Sequence, residues 1–334
     1  MKLSVLDQSP LLPGITPHEA LHQTTELAKW TDKLGYHRFW VSEHHSTESL
    51  AGSAPEVLAG HLAAHTKQIR IGTGGVLLPH YSSYKIAEVF RLLETLHPGR
   101  IDVGVGRAPG GMPNVNLALN KGKLPSIEDY PAQVEELMAY LHGHDPHGRD
   151  VYATPIGETA PPVWMLGSSG TSARLAADLG TSYSFAHFIS GKGGVRAMER
   201  YQRYFSPSMQ QGAPQGNVSV FVVCSDTREE AEYLASSLDL ALLKIEQGGK
   251  RSSFPSPDEA IHYNYSLNEL DRVQENRNRM VVGTPDEVKA SLLELAEAYH
   301  VDEVIINTIV SPFEKRLESY ELIAEAFNLE HTTV

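Results

Sequence analysis

Glu43-His44-His45 follows a short apolar run, Phe39-Trp40-Val41. Alternate side chains of a strand face opposite sides, so three titratable residues at its end cannot all be packed away. An imidazole placed there titrates near neutral pH and can move a proton to or from a bound molecule. A second group gathers at a strand-to-helix junction, Leu166-Gly167-Ser168-Ser169-Gly170-Thr171. Glycines and hydroxyls at such a junction leave backbone N–H groups and the positive end of a helix dipole facing the ligand, which suits a phosphate. Arg107 ends the preceding strand and, with Ser168 and Thr171, would complete a dianion clamp. The plainer reading makes Ser168 or Ser169 a helix cap and Arg107 a surface charge. The third feature is Gly74-Gly75 inside an apolar run. Glycine weakens a strand interior and often marks a bulge or the close approach of a flat ligand to the backbone.

These residues stand at the ends of short apolar runs that alternate with segments of helical period. Leu3–Leu6, Phe39–Val41, Ile69–Leu78, Ile101–Val105, Val163–Leu166, Ser182–Phe185, Val218–Cys224 and Glu303–Thr308 read as strands. The helical stripe is clearest over Ser82–Leu96, where Ile86, Val89, Phe90, Leu93 and Leu96 share a face ahead of the stop Pro98-Gly99. Repeated β-then-α order demands parallel strands with right-handed crossovers. Eight such pairs select the α/β class and a closed (β/α)8 TIM barrel, here a single domain over residues 1–334. Sites in that fold lie at the C-terminal strand ends. Those ends carry Asp7, Glu43-His44-His45, Gly74-Gly75, Arg107, Gly167–Thr171 and Asn307. Insertions fall after strand four, in a Gly/Pro/Asn-rich stretch through Asn116, and after strand seven, from Gly248 to Arg279. The second is charged and carries Pro255 and Pro257; it reads equally as a surface excursion or as a mobile lid over the active face.

Composition narrows the partners. Lys plus Arg total 28 against 41 Asp plus Glu, a net charge of −13 that repels nucleic acid and anionic membranes. The lone cysteine, Cys224, lies in an apolar run, so no intramolecular disulfide forms and a buried core thiol is expected. No stretch is long enough to span a bilayer, and a soluble cytoplasmic protein is expected. Gly104-x-Gly106-x-x-x-Gly110 is not a dinucleotide fingerprint, because the spacing differs and Pro109 and Pro113 stand where a helix should begin. The histidines 44, 45, 61, 65 and 80 invite a metal-hydrolase reading. Barrel hydrolases of that kind use His-x-His, Lys and Asp at strands one, four and eight, whereas this chain offers Asp7, Arg107 and Asn307. No metal is therefore expected, and His61 and His65 read as a solvated or capping helical pair.

Three stretches together carry a resemblance: Trp40-Val41-Ser42-Glu43-His44-His45, Gly72-Thr73-Gly74-Gly75-Val76-Leu77-Leu78-Pro79, and His97 through Gly110. They resemble the bacterial luciferase-like monooxygenases, and Val282-Gly283-Thr284-Pro285-Asp286-Glu287-Val288 also looks like that family. The resemblance implies a (β/α)8 barrel that uses reduced FMN with O2. It makes His44 the catalytic histidine and sets Glu43 and His45 beside the isoalloxazine. It places a non-proline cis peptide at Gly74-Gly75 under the flavin, with Leu166 and Gly167 in the cofactor site and Arg107, Ser168 and Thr171 on its phosphate. Two positions depart from the family: Gly170 stands where a serine is frequent, and Gly167 where an acid occurs, but backbone donors remain at both. Gly106 replaces the reactive cysteine of the light-emitting members, which argues against luminescence.

The implied activity is a two-component monooxygenase. A separate flavin reductase supplies FMNH2, and a flavin C4a-hydroperoxide transfers oxygen to a small aldehyde, ketone or aromatic. The alternatives are an F420-dependent oxidoreductase on the same fold and a flavin-binding relative without turnover. A homodimer is possible by the same analogy.

Overall fold

The structure, a computed structural model, describes residues 1–107, 113–248 and 254–330. Its strands are β1 (Lys2–Asp7), β2 (Arg38–Val41), β3 (Arg70–Thr73), β4 (Val76–Leu77), β5 (Ile101–Gly106), β6 (Val163–Gly167), β7 (Ser182–Ala186), β8 (Gly216–Cys224), β9 (Met280–Gly283) and β10 (Glu303–Asn307). Its helices are α1 (Pro17–Lys33), α2 (Pro55–His65), α3 (Ser83–Leu96), α4 (Pro113–Leu119), α5 (Tyr130–Leu141), α6 (Gly170–Leu179), α7 (Gly194–Tyr204), α8 (Arg228–Glu246), α9 (Pro257–Ile261), α10 (Leu267–Arg277), α11 (Pro285–Tyr299) and α12 (Phe313–Ala326). The parallel path β1-β2-β3-β5-β6-β7-β8-β10 closes on itself through β10, which pairs with both β8 and β1. This is the expected (β/α)8 barrel.

Two strands lie outside the eight read from the sequence. The run Ile69–Leu78 is not continuous: it breaks at Gly74-Gly75 into β3 and β4, and only β4 follows β5 past the break, Val76 beside Val105. The second addition, β9, pairs with the far end of β8, Val222 beside Val281. It has four residues, three of them only half-buried, so it carries neither the length nor the apolar continuity that marked the barrel strands. The segment after α8 also differs from a plain loop. Its described part holds α9 and α10, each opened by a Ser-x-x-Glu capping box at Ser256 and Ser266. Arg272 and Arg277 of α10 pair with Glu246 and Asp239 of α8.

Side-chain parity divides the barrel. On β8, Val218, Val220, Val222 and Cys224 join the main core under the helices, so Asn217, Ser219 and Phe221 turn into the lumen. Burial pushes the Cys224 thiol up to about 12, as a core residue requires. The lumen is filled by Leu6, Trp40, Trp164 and Ile305, with the two indoles edge to face at 5.3 Å.

Below them lies a buried charged floor. Arg38 donates from Nε to Glu303 at 2.5 Å and from Nη1 to Asp102 at 2.7 Å, and its guanidinium covers the Trp164 ring at 4.7 Å. Arg70 donates to Asp102 at 2.6 Å. Burial pushes Asp102 up, yet the two guanidiniums outweigh it and hold its carboxyl below the usual range.

His37 borders this floor. Burial, helped by Arg38, lowers its imidazole from 6.5 to about 4. Folding therefore favours neutral His37; that stability is full above pH 6.5, the unfolded value, and is lost as pH falls through about 4. We expect the urea midpoint to decline across this window, and His37→Gln to make the decline shallower. Identical pH profiles for the two proteins would remove His37 from the account.

Candidate active site

The C-terminal mouth is entered from β2. Trp40 faces the lumen, and β2 ends one residue later at Val41, so Ser42, Glu43 and His44 follow at the strand's C-terminal end. The Ser42 hydroxyl meets His44 Nδ1 at 3.1 Å, and the His44 backbone N–H donates to the Gly52 carbonyl at 2.8 Å. These contacts fix a half-buried imidazole at the rim.

Glu43 is fully buried and spends its carboxylate on the chain. Oε1 accepts from Tyr81 at 2.6 Å and meets His45 Nε2 at 2.6 Å; Oε2 accepts from the Leu77 N–H at 2.8 Å. Burial, then the bond to Glu43, pushes the Tyr81 hydroxyl well above its ordinary value, so it stays a donor. Glu56 lies close enough to feel Glu43; burial first, then that charge, raises its carboxyl. Tyr81 and Glu56 were not marked by the sequence reading. Each lies more than ten residues from Glu43 in sequence, and no motif links them.

The peptide Gly74-Gly75 is cis, as the resemblance implied. A Cβ on Gly74 would meet Leu6 at 2.7 Å, and one on Gly75 would meet Leu166 at 2.5 Å and the Gly104 carbonyl at 2.7 Å. A Cβ on Gly104 would collide with the Thr73 carbonyl. The Thr73 hydroxyl donates to the Gly104 carbonyl at 2.9 Å and accepts from the Gly104 N–H at 3.1 Å. That side chain replaces the main-chain ladder where β3 leaves β5. The result is a bare, flat backbone surface above Leu6 and Leu166.

The junction read from the sequence as an anion seat lies at the ends of β5 and β6. Their register sets Val105 beside Met165, which brings Arg107 level with Gly167, next to Ser168. Arg107 is exposed and makes no ion pair with any described residue. Helix α6 begins at Gly170, and Ser169 is its cap, its hydroxyl accepting from the Ser172 N–H at 3.5 Å. The capping role therefore falls to Ser169, and leaves Ser168, half-buried, and Thr171, exposed, available. Ser172 was also missed: its hydroxyl donates to the Ser169 carbonyl at 2.8 Å and meets Tyr183 Oη at 3.1 Å. A Cβ on Gly167 would strike Ser172, which explains why no acid stands there. Arg200 of α7 adds a cation 3.9 Å from where a Gly170 Cβ would sit.

Asp7 does not join this mouth. It is buried and paired with Arg316 of α12 at 3.0 Å. His61 and His65 form a ring pair on α2, 4.2 Å apart. Residues 108–112, including Ala108-Pro109-Gly110 of the third motif, lie outside the described residues. No described helix is long and apolar enough to cross a membrane.

The sequence matches the luciferase-like monooxygenase family over residues 1–301. The chain belongs to that family. Protein YwcH of Bacillus subtilis is 52% identical over 330 residues, covering 98% of this chain and 99% of its own. The N-acetyl-S-alkylcysteine monooxygenase of the same species is 37% identical over 331 residues, with 98% of each chain covered. Among solved structures, apo-MsnO8 superposes with a TM-score of 0.92 at 39% identity over 99% of both chains. Two more distant structures share the fold. One is the FMN complex of the 3,6-diketocamphane monooxygenase oxygenating constituent from Pseudomonas putida, with a TM-score of 0.69, 21% identity and 98% and 97% coverage. The other is an F420-dependent secondary alcohol dehydrogenase, with a TM-score of 0.72, 15% identity and 98% and 99% coverage. The family resemblance read from the three motifs is thus borne out.

The Thr73–Gly104 contact supplies a sharp test. Gly104→Ala should cost about 3 kcal/mol or more, because the new methyl meets backbone that cannot yield. Gly106→Ala, whose Cβ would touch Leu77 alone among the described residues, at 3.7 Å, should change stability by under about 1 kcal/mol. Urea unfolding of both variants decides; equal losses would mean that the close approach does not govern this mouth.

Proposed function

We propose that this family member is the oxygenating component of a two-component system that uses FMNH2 and O2. The observation that carries the reading is the flat Cβ-free surface at Gly74-Gly75 on one side of the mouth, with Arg107, which makes no ion pair with any described residue, level with the strand end that leads into α6 on the other. The two features suit the two ends of one molecule, a planar ring and a phosphate. Supporting it, the α6 N-terminal N–H groups and the Ser168 and Thr171 hydroxyls add donors where the guanidinium supplies charge.

Reduced FMN bound there would supply the electrons that split O2, with one oxygen atom going to the substrate and the other leaving as water. The chain's own residues do the rest. Leu6 and Leu166 back the cradle and keep water from the ring's underside. Glu43 and His45 hold the loop that carries Tyr81 and Leu77 against the cradle's edge. His44, its Nδ1 engaged by Ser42, passes a proton at Nε2 to or from the substrate oxygen. The 254–279 segment, docked on α8, shields the mouth on that side. The partner in this reading is a separate flavin reductase, and the substrate is a small organic molecule. F420 would need basic residues for its polyglutamyl tail, and the net charge of −13 disfavours them.

Titration with FMN and with F420, followed by flavin fluorescence, tests the reading. FMN should bind, and Arg107→Ala should weaken it about 10- to 100-fold, the range for a charge-assisted phosphate contact. Photoreduced FMN mixed with protein and O2 should turn over with less free peroxide than FMN alone. Preference for F420, or an Arg107→Ala variant with wild-type FMN affinity, would refute the assignment.

A further inference from the structure

The anion seat in the proposed reading combines neutral donors with one cation. The Ser168 and Thr171 hydroxyls and the α6 N–H groups can hydrogen-bond a phosphate, but only Arg107 among these groups carries a charge. A phosphate monoester holds close to two negative charges at neutral pH, because its second pKa is about 6. A phosphodiester holds a single charge. One guanidinium therefore balances a diester and leaves a monoester half-balanced.

A second guanidinium reaches the same place. Arg200 lies in the second turn of α7, and helical side chains lean towards the N-terminus of their helix, here the end nearer the mouth. Gly170 opens α6, and a Cβ built on it would lie 3.9 Å from Arg200 Nη1. Beyond the residues that flank Gly170, Arg200 is the one described side chain within 4 Å of that point. Arg200 is exposed and forms neither an ion pair nor a hydrogen bond with any described residue. Its neighbours are committed elsewhere: Arg174 pairs with Asp178 at 2.8 Å and Lys192 with Glu275 at 2.8 Å. From Ser168 to Tyr204 the chain carries five cations and two acids, although its net charge is −13. The anion seat thus lies in a locally positive sector of an acidic molecule.

We propose that Arg200 is the second cation of this seat and that it makes the seat selective for a phosphate monoester dianion. Arg107 approaches from the end of β5 and Arg200 from α7, so the two guanidiniums flank the α6 N-terminus from different elements. The order of preference that follows is FMN first, then a flavin phosphodiester, then riboflavin, which has no phosphate. This deepens the FMN reading and rests on it for the ring that accompanies the phosphate. Arg200 is a specificity residue here: it counts charge, while Arg107 and the neutral donors hold either ester.

Fluorescence titration of the full-length protein with FMN, riboflavin and riboflavin 5′-(methyl phosphate), the diester, tests the assignment. Solvent screens an exposed guanidinium, so the wild type should bind FMN about three- to tenfold more tightly than the methyl ester. Arg200→Ala should bring the two esters within about twofold of each other and leave riboflavin binding unchanged. Arg200→Lys restores the charge without the planar fork and should recover part of the preference. Arg196→Ala and Arg203→Ala, on the same face of α7, should keep the wild-type ratio. A ratio of two ligands on one variant cancels any loss of folded protein. A preference that survives Arg200→Ala comes from the bulk of the methyl group and would overturn the proposal. Equal loss of the preference in Arg196→Ala or Arg203→Ala would overturn it too, because the effect would then belong to the surface field. Wild-type FMN affinity in Arg200→Ala, with Arg107→Ala still weakened, removes Arg200 alone; failure of the wild type to bind FMN sinks the flavin reading and this proposal with it.

Discussion

The contact between Gly104 and Thr73 is the constraint on which the mouth depends. Two backbones approach there more closely than any side chain allows. The Thr73 hydroxyl stitches them from both sides, donating to the Gly104 carbonyl and accepting from its N–H. With that stitch in place β3 leaves the ladder after Gly72, Gly74-Gly75 crosses the lumen edge, and β4 resumes pairing with β5 at Val76 beside Val105. Glu43 holds the far end of the detour by accepting from the Leu77 N–H. The cradle is therefore not a loop laid on a finished barrel. It is a barrel strand interrupted at a fixed place and anchored on both sides.

The opposite end of the barrel explains why the mouth can be so bare. Glycines at 72, 74, 75, 104 and 106 remove side chains that would otherwise fill the lumen. The indoles of Trp40 and Trp164 occupy that space, and Arg38 is pressed beneath them between Asp102 and Glu303. Breaking such a buried pair by removing one partner costs about 3–5 kcal/mol, whereas an intact pair adds little net stability. Its worth here is positional. Asp102 also accepts from Trp40 Nε1 at 3.0 Å and so sets the height of the surface on which the cradle rests.

Much of this was legible in the residues because it depends on local chemistry. Alternating apolar runs and helical periods gave the barrel. Glycines inside the run Ile69–Leu78 marked its break, and the position of Ser168–Thr171 after a strand marked a helix N-terminus. What escaped depends on distant parts of the chain. Tyr81 and Glu56 matter only because the fold brings them to Glu43. Ser172 matters because Tyr183 stands opposite it on β7. Strand β9 was hidden for another reason: it is short and half-buried, and its neighbours are helices, so burial on one side of β8 forms it more than its own sequence does. The stretch from Gly248 to Arg279 read as a surface excursion or a mobile lid; in its described part Arg272 and Arg277 pair with α8, and Ser256 and Ser266 cap α9 and α10.

The two polar ends of the mouth differ in a way that bears on the proposed chemistry. Arg107 and Thr171 are exposed, so a phosphate placed there keeps much of its water and is held by contacts that solvent can replace. Asn307 is buried to its last atom, and anything matched to it is dehydrated first. A cofactor carried in by a separate reductase has to arrive and leave each cycle, which an exposed seat permits. A molecule lying against the ring would have to keep one pose, and the buried Asn307 beside the Phe188–Phe221 wall is a rigid surface for it. Exchange at one end and fixity at the other are therefore the division of labour that a diffusible reduced flavin would require of this mouth.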